Sequence, residues 1–300
     1  MSECGTEPVE KSAVPKYDAR NPLLELWKRI KRSRMAMAGL VIITLVIVVA
    51  ILAPIISPYD PYKQNLSIRL AKIGAPGHIL GTDEYGRDLL SRLIYGARIS
   101  LMVGFSSVGF GLIFGVVLGL SAGYYQKLDG IIMRIIDILL AFPGVLLALA
   151  IISILGPGII NVIIAIGIWS VPTLARVVRS TVLYIKELDY VTAAKALGET
   201  DLNIIFREIL PNCISPIIVY ATMRLATAIL SAATLSFLGL GAQPPSAEWG
   251  AMTATGRNFI YQAPHLTLIP GFAIIIVVFG FNSIGDGLRD ALDPNLKNTM

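Results

Sequence analysis

Long uncharged apolar runs, separated by short polar or glycine–proline segments, dominate the chain. A hydrocarbon core of roughly 30 Å requires about 20 apolar residues of helix, and Met35–Ile56 meets that as a first span. Ser100–Ala122 is the second, with no charge between Arg98 and Lys127. Residues 138–175 carry no charge at all, too long for one crossing, and Gly156-Pro157-Gly158 divides them. Glycine and proline break helices, so this stretch predicts a helical hairpin, with a third span at Ile131–Leu155 and a fourth at Ile159–Val177. A fifth span is expected at Pro216–Leu240 and a sixth at Leu266–Gly285. Gly104, Gly109, Gly111, Gly115 and Gly119 recur in the second span, and small residues let helix backbones approach closely in lipid. The pattern predicts an all-α membrane protein of about six transmembrane helices packed as one bundle.

Composition agrees. Of 300 residues, 55% are hydrophobic and 15% charged, whereas soluble domains carry about 25% charge; the mean hydropathy is +0.70. The net charge of +5 is not a nucleic-acid footprint, because no basic face interleaved with aromatics appears. Lys28, Arg29, Lys31, Arg32 and Arg34 instead sit directly before the first apolar run, where cytoplasmic positive flanks belong. That run follows a long tail, stays uncharged from Met35 to Tyr59 and lacks an A-x-A cleavage pattern, so it reads as a retained anchor rather than a cleaved signal. With the N-terminus inside, residues 1–34 form a cytoplasmic tail and 35–56 the first helix. Residues 57–97 are then an extracytoplasmic loop, despite Lys63, Arg69, Lys72, Arg87 and Arg92. Residues 98–287 form a core with a cytoplasmic loop at 178–215, and 288–300 a cytoplasmic C-terminal tail. Cys4 and Cys213 are far apart and His78 and His265 isolated, so neither a disulfide framework nor a metal site is expected.

The 178–215 loop carries the clearest local signal. Tyr190-Val191-Thr192-Ala193-Ala194-Lys195-Ala196-Leu197-Gly198 is an alanine-rich helix stopped by glycine, followed by a second short helix with Asp201 as its cap, leading to Pro211 and back to the membrane. Small side chains suit a rod that beds into a groove on another protein; an amphipathic connector lying on the membrane is the alternative. Arg134 and Asp137 share a helix face as an ion pair or as part of a translocation path. Arg224, inside the fifth span, either lines that path or snorkels. Asp83, Glu84 and Asp88 do not follow the spacing of a calcium loop. Asp88 is instead expected to begin an amphipathic helix with Leu89, Leu90, Leu93 and Ile94 toward the membrane.

The loop resembles the "EAA" loop of binding-protein-dependent ABC import permeases: Ala193, Ala194, Gly198, Leu210 and Pro211 match, Thr192 replaces the glutamate, and Ile209 stands one place late. Gly81-Thr82-Asp83-Glu84-Tyr85-Gly86-Arg87-Asp88-Leu89-Leu90-Ser91-Arg92, the block Leu235 to Pro245 with Glu248-Trp249-Gly250, and Asn282 to Pro294 are similar to motifs of one branch. That branch is the C-type permease subunit of dipeptide and oligopeptide transporters, and the similarity runs from about Trp27 to Pro294.

The resemblance implies a type I ABC importer permease bundle in a prokaryotic inner membrane, with both termini cytoplasmic. It implies a non-catalytic subunit working with a second homologous permease, two ATPase subunits and an extracytoplasmic substrate-binding protein. ATP and Mg would sit on the ATPase chains, and no cofactor on this one; the chain holds no G-x-x-x-x-G-K-[ST] loop. Asp189, Tyr190, Thr192, Ala193, Ala194, Leu197 and Gly198, with Leu210 and Pro211, become ATPase-coupling candidates. Ala193, Ala194 and Gly198 are the close-approach positions. Arg134, Asp137 and Arg224 are translocation-path candidates, and Asp83, Arg87, Asp88 and Trp249 candidates for contact with the binding protein. Dipeptides or oligopeptides are the implied cargo, with nickel chelates, glutathione or another small solute as alternatives. An ion-driven secondary transporter would instead show charged or broken helices near the midplane, and an intramembrane enzyme a catalytic dyad at membrane depth.

Overall fold

The computed structural model describes Trp27, Ile30, Lys31 and residues 33–292. The expected tail at 1–26, Cys4, Lys28, Arg29 and Arg32 of the basic flank, and residues 293–300 lie outside the described residues. Helix α1 (Arg34–Ile51) opens at Ser33, whose hydroxyl accepts from the Ala36 amide, and α2 (Ala53–Ile56) continues it. After a loop come α3 (Leu89–Tyr124), α4 (Gln126–Leu140), α5 (Gly144–Leu155) and α6 (Ile159–Ile185). The short α7 (Asp189–Ala196) and α8 (Asp201–Asn203) precede α9 (Leu210–Phe237), α10 (Trp249–Gly256) and α11 (His265–Leu292). Five helices are long and apolar enough to cross a membrane, or six if the bent pair α4–α5 counts as one span.

That pair corrects the expected third span. Instead of one helix over 131–155, α4 and α5 meet at 90°. Pro143, at the N-cap of α5, cannot donate to a preceding turn and disfavours helix at Phe142. The break at Gly156-Pro157-Gly158 falls where expected: Gly156 and Gly158 have φ of +88° and +153°, and the Asn161 amide donates to the Leu155 and Gly156 carbonyls.

Other boundaries differ from expectation: the fourth span runs on to Ile185 and the sixth to Leu292. Helix α3 begins at Leu89, so the segment after Asp88 is the outer end of the second span rather than a separate surface helix. Leu89 and Ile94 are 1% and 8% exposed and face protein, not lipid. Its 36 residues make a rod of about 54 Å, longer than the hydrocarbon. At the other end of the bundle, the second short helix does not stop at Pro211. Residues 204–209 form a π-helical turn, in which the Leu210 amide bonds to the Ile205 carbonyl, that runs directly into α9. Pro211 lacks the N–H that an α-helical register would require, and the wider turn absorbs the missing bond. Thr200, not Asp201, caps this unit, its hydroxyl accepting from the Asn203 amide.

The longest interface joins α3 to α6. Gly111, Gly115, Gly119 and Gly123 stand on one face at every fourth position. A Cβ on them would come within 2.7 Å of Ser170 Cβ, 2.9 Å of Leu174 Cδ2, 2.7 Å of Val178 Cβ and 2.6 Å of Val182 Cβ. Backbone-to-side-chain approach of this kind replaces hydrophobic exclusion as the packing force in lipid. Gly119→Leu is therefore expected to cost roughly 1–3 kcal/mol by overpacking and to lower the thermal midpoint of the detergent-solubilised chain. Gly109→Ala, where a Cβ meets nothing within 4 Å, serves as the control and leaves the midpoint in place. Helix α1 packs on α11 by the same device, with Gly39 against the Gly280 carbonyl.

Candidate functional site

Helix α7 is a one-sided rod. Val191 (0% exposed) and Ala194 (8%) seat it in a cluster with Val182, Ile185, Ile204, Ile205, Ile209 and Cys213. Asp189, Tyr190, Thr192, Ala193, Lys195, Ala196, Leu197 and Gly198 face outward, and Leu197 is 85% exposed. Asp189 in the first turn and Lys195 in the last both complement the helix dipole. Gly198 (φ +82°) ends the rod: its amide donates to the Lys195 carbonyl and the Glu199 amide to the Ala194 carbonyl, a Schellman stop. Nothing lies within 4 Å of a Cβ built at Gly198, so Gly198→Ala would carry only the left-handed backbone strain, about 1 kcal/mol. Faster hydrogen exchange at the Gly198 and Glu199 amides, with the rest of the chain unaltered, is the expected reading.

The candidates on this loop thus divide. Ala193, Thr192, Tyr190, Leu197 and Gly198 are available to a partner. Ala194 is turned into its own chain, which removes it as a close-approach position and makes it the anchor of the rod. Pro211 is exposed and Leu210 half-buried, and both lie at the π-to-α junction beneath the rod. The Tyr124 hydroxyl donates to Asp201 Oδ1 at 2.7 Å, and the Lys195 ammonium sits 5.6 Å from the Tyr124 ring centre. These contacts tie the loop to the end of α3. Burial pushes the Tyr190 hydroxyl above its ordinary pKa.

The charged candidates of α4 find other partners than expected. Asp137 pairs with Arg176 at 2.6 Å, not with Arg134, and this exposed pair links α4 to α6. Arg134 is exposed and forms no ion pair among the described residues. A second link missed in the sequence joins Arg179 to Asp129 by two hydrogen bonds of 2.5 and 2.6 Å. Arg176 and Arg179 stand where an uncharged run first meets charge, which is the one signal that marks them.

Arg224 is half-buried on α9. Its Nη2 donates to Ser170 Oγ at 2.9 Å, and its guanidinium lies 5.0 Å from the Trp169 ring centre and 6.0 Å from that of Tyr220. It has no carboxylate partner among the described residues, and its Nε no protein acceptor. The side chain points across to α6 rather than along the helix to an interface, which removes snorkelling as its explanation.

At the opposite end of the bundle, the residues expected to meet a binding protein are interior. Asp83, Arg87, Asp88 and Trp249 are 4%, 5%, 3% and 3% exposed, a correction to their expected role. Arg87 Nε binds Asp83 Oδ2 at 2.6 Å, while Asp83 Oδ1 accepts from the Tyr85 and Arg87 amides. Asp88 caps α3 through the Ser91 amide and hydroxyl and pairs with His78 Nδ1 at 2.8 Å. Trp249 Nε1 donates to the Leu93 carbonyl, fixing α10 against α3. Arg92 clamps the Pro61, Pro245 and Ser246 carbonyls. Glu248 caps α10 by accepting from the Gly250 and Ala251 amides; burial raises its pKa and those amides draw it back down. Burial and the neighbouring Asp83 raise that of Glu84, with Arg87 opposing. The exposed surface here is instead Tyr62, Ile73, Ile79, Tyr85 and Tyr261. A cavity of about 160 Å³ opens between Glu84, Tyr85, Arg87, Gln243 and Thr255. Among the described residues, no group of three or more His, Cys, Asp or Glu side chains is placed to hold a metal ion.

The sequence and the fold match known transport proteins. Residues 111–298 match the family described as binding-protein-dependent transport system inner membrane component, and residues 21–72 the N-terminal TM domain of oligopeptide transport permease C. The chain is 51% identical to the dipeptide transport system permease protein DppC of Alkalihalophilus pseudofirmus, over 97% of this chain and 96% of that one. It is 48% identical to the di/tripeptide permease DppC of Pseudomonas aeruginosa, over 93% and 94%. To the glutathione permease GsiD of Pectobacterium atrosepticum the identity is 47%, over 93% of each. The fold is similar to an inward-facing MetNI methionine ABC transporter structure, with a TM-score of 0.56 at 22% identity, covering 68% of this chain and 98% of that one. The chain belongs to the family of binding-protein-dependent transport system inner membrane components and is a multi-pass permease subunit of the ABC importer type.

Proposed function

We propose that this chain forms half of a translocation path for dipeptides or short oligopeptides and receives the stroke of a cytoplasmic ATPase through α7. The single observation that carries the coupling role is the two-sidedness of that helix. Val191 and Ala194 lock it to α6 and the π-helical turn, while small Ala193 and Thr192 and the apolar Leu197 are presented outward. A force on such a rod is transmitted to α6 and α9 rather than absorbed by a loose loop. Basic residues before α1 support an orientation with both termini and α7 in the cytoplasm, and the 57–88 loop toward the binding protein. The partners in this reading are a second, homologous permease, two ATPase subunits that hold ATP and Mg, and a soluble binding protein. This chain itself is non-catalytic.

Peptide cargo is supported by the relatives of known name; the glutathione permeases among them make a peptide-like tripeptide thiol the nearest alternative. The test is co-purification. With the partner permease and ATPase chains co-expressed, the wild type is expected to hold the ATPase through size-exclusion chromatography. Leu197→Asp is expected to lose it, because an anion would be set in the apolar contact. An ATPase retained in full by Leu197→Asp would contradict the docking role.

A further inference from the structure

Helix α9 carries a stripe that the coupling role does not use. At about 3.6 residues per turn, Tyr220, Arg224, Thr227, Ser231 and Thr234 fall within an arc of about 80°. Thr227 and Thr234 are exposed, and Tyr220, Arg224 and Ser231 partly so. Trp169, Thr173, Arg176 and Ser180 form a matching stripe on α6, and the two meet where Arg224 lies over Trp169 and bonds Ser170. The hydroxyls alone do not decide what covers this face. Thr227 and Thr234 donate to the Arg224 and Leu230 carbonyls of their own helix, a state that lipid tolerates. Arg224 does decide. A guanidinium on an apolar helix is stable against a partner charge or an aqueous cavity, not against acyl chains.

No acid among the described residues pairs with Arg224. Asp129 and Asp137 are the acids of α4, and both are taken by Arg179 and Arg176. Lys127, Arg134 and Arg224 remain without an ion pair among the described residues. Helices α3 and α5 bring no acid to this face. An unpaired guanidinium attracts anionic groups and matches a carboxylate in planar, bidentate geometry.

We propose that Arg224 is a specificity-determining residue: it meets the free carboxylate of the cargo as it passes along the α6–α9 groove. The proposal rests on the importer reading above. Two features fit a transient rather than a permanent partner. The aromatic faces of Trp169 and Tyr220 hold the cation without neutralising it, and the buried donor at Nε has no acceptor within the protein.

The test uses the complete complex in proteoliposomes, with uptake of a dipeptide compared with that of the same dipeptide amidated at its C-terminus. Each cargo is compared between variant and wild type, so the preference of the binding protein cancels. Arg224→Gln is expected to slow dipeptide uptake about 10- to 100-fold, the range for a lost hydrogen bond to a charged group. Uptake of the amide, which presents no carboxylate to lose, should fall far less. Should Arg224→Gln fail to assemble, Arg224→Lys keeps the charge and loses the fork, and dipeptide uptake alone should again fall. An equal loss for both cargoes, or no loss for either, would overturn the proposal and leave the importer intact. A wild-type complex that carries neither cargo would overturn the peptide reading, and this proposal with it.

Discussion

Tryptophan at Ala193 is expected to abolish ATP-driven uptake while leaving the bundle folded; at Ala194 it is expected to unseat the rod itself. The two alanines are adjacent, yet one faces solvent and the other is 8% exposed among Ile204, Ile205, Ile209 and Cys213. At Ala193, the indole would stand on the outward face proposed to meet the ATPase, where small side chains would allow close approach. Coupled hydrolysis should fall by a factor of about 10 or more, the effect of losing a docking residue of hot-spot rank, with thermal stability near that of the wild type. At Ala194 the same ring must be forced between packed side chains, which costs roughly 1–3 kcal/mol or more. Protease cleavage in 186–200 would report the loosened loop. Equal stability loss at both positions would mean that α7 is not seated as described.

Arg92→Leu is expected to destabilise the far end of the bundle by about 3–5 kcal/mol, the usual result of removing one partner from a buried charge network. Arg92 is 5% exposed and donates to three backbone carbonyls, from Pro61, Pro245 and Ser246, and lies 3.3 Å from Asp83. Its loss leaves those carbonyls without their donor and Asp83 with Arg87 as its remaining cation among the described residues. The measurable result is early proteolysis within 57–88 and a lowered unfolding temperature. Arg92→Lys is expected to recover only part, since an ammonium cannot span three carbonyls in a plane as the guanidinium fork does. Loss of transport with unchanged stability would instead give Arg92 a functional contact.

The spans were legible in the sequence because lipid imposes a length and a composition on each. Their ends were not. Asp88 marks a helix start in the sequence, but that helix is the second span itself, since leucines facing protein and leucines facing lipid look alike in sequence. The bend at Pro143 leaves no mark on the apolar pattern, because the run stays apolar on both sides of it and apolarity reports burial rather than direction. Glycines on both sides reinforce the break at Pro157, whereas Pro143 has glycine on one side only. The alanine rod and its glycine stop were visible as local rules of helix chemistry. Which alanine faces inward was not, because that depends on where the π-helical turn at 204–209 places the supporting isoleucines.

The charged residues failed for a different reason. Asp83, Arg87 and Asp88 looked like surface because charged groups usually are. Their burial depends on pairing with His78 and Ser91 and on backbone amides that only the folded loop supplies. Arg134 and Asp137 satisfied a helix-spacing rule, yet the interhelical partner Arg176 took the carboxylate. Spacing rules describe isolated helices, and packed bundles offer alternatives.

The most direct test of the central claim is uptake of a labelled dipeptide by proteoliposomes holding the complete complex, with binding protein outside and ATP supplied to the ATPase chains. Accumulation that requires both ATP and the binding protein, and that disappears with Ala193→Trp, is the expected result. Uptake that proceeds without the ATPase chains and follows an imposed ion gradient would contradict it.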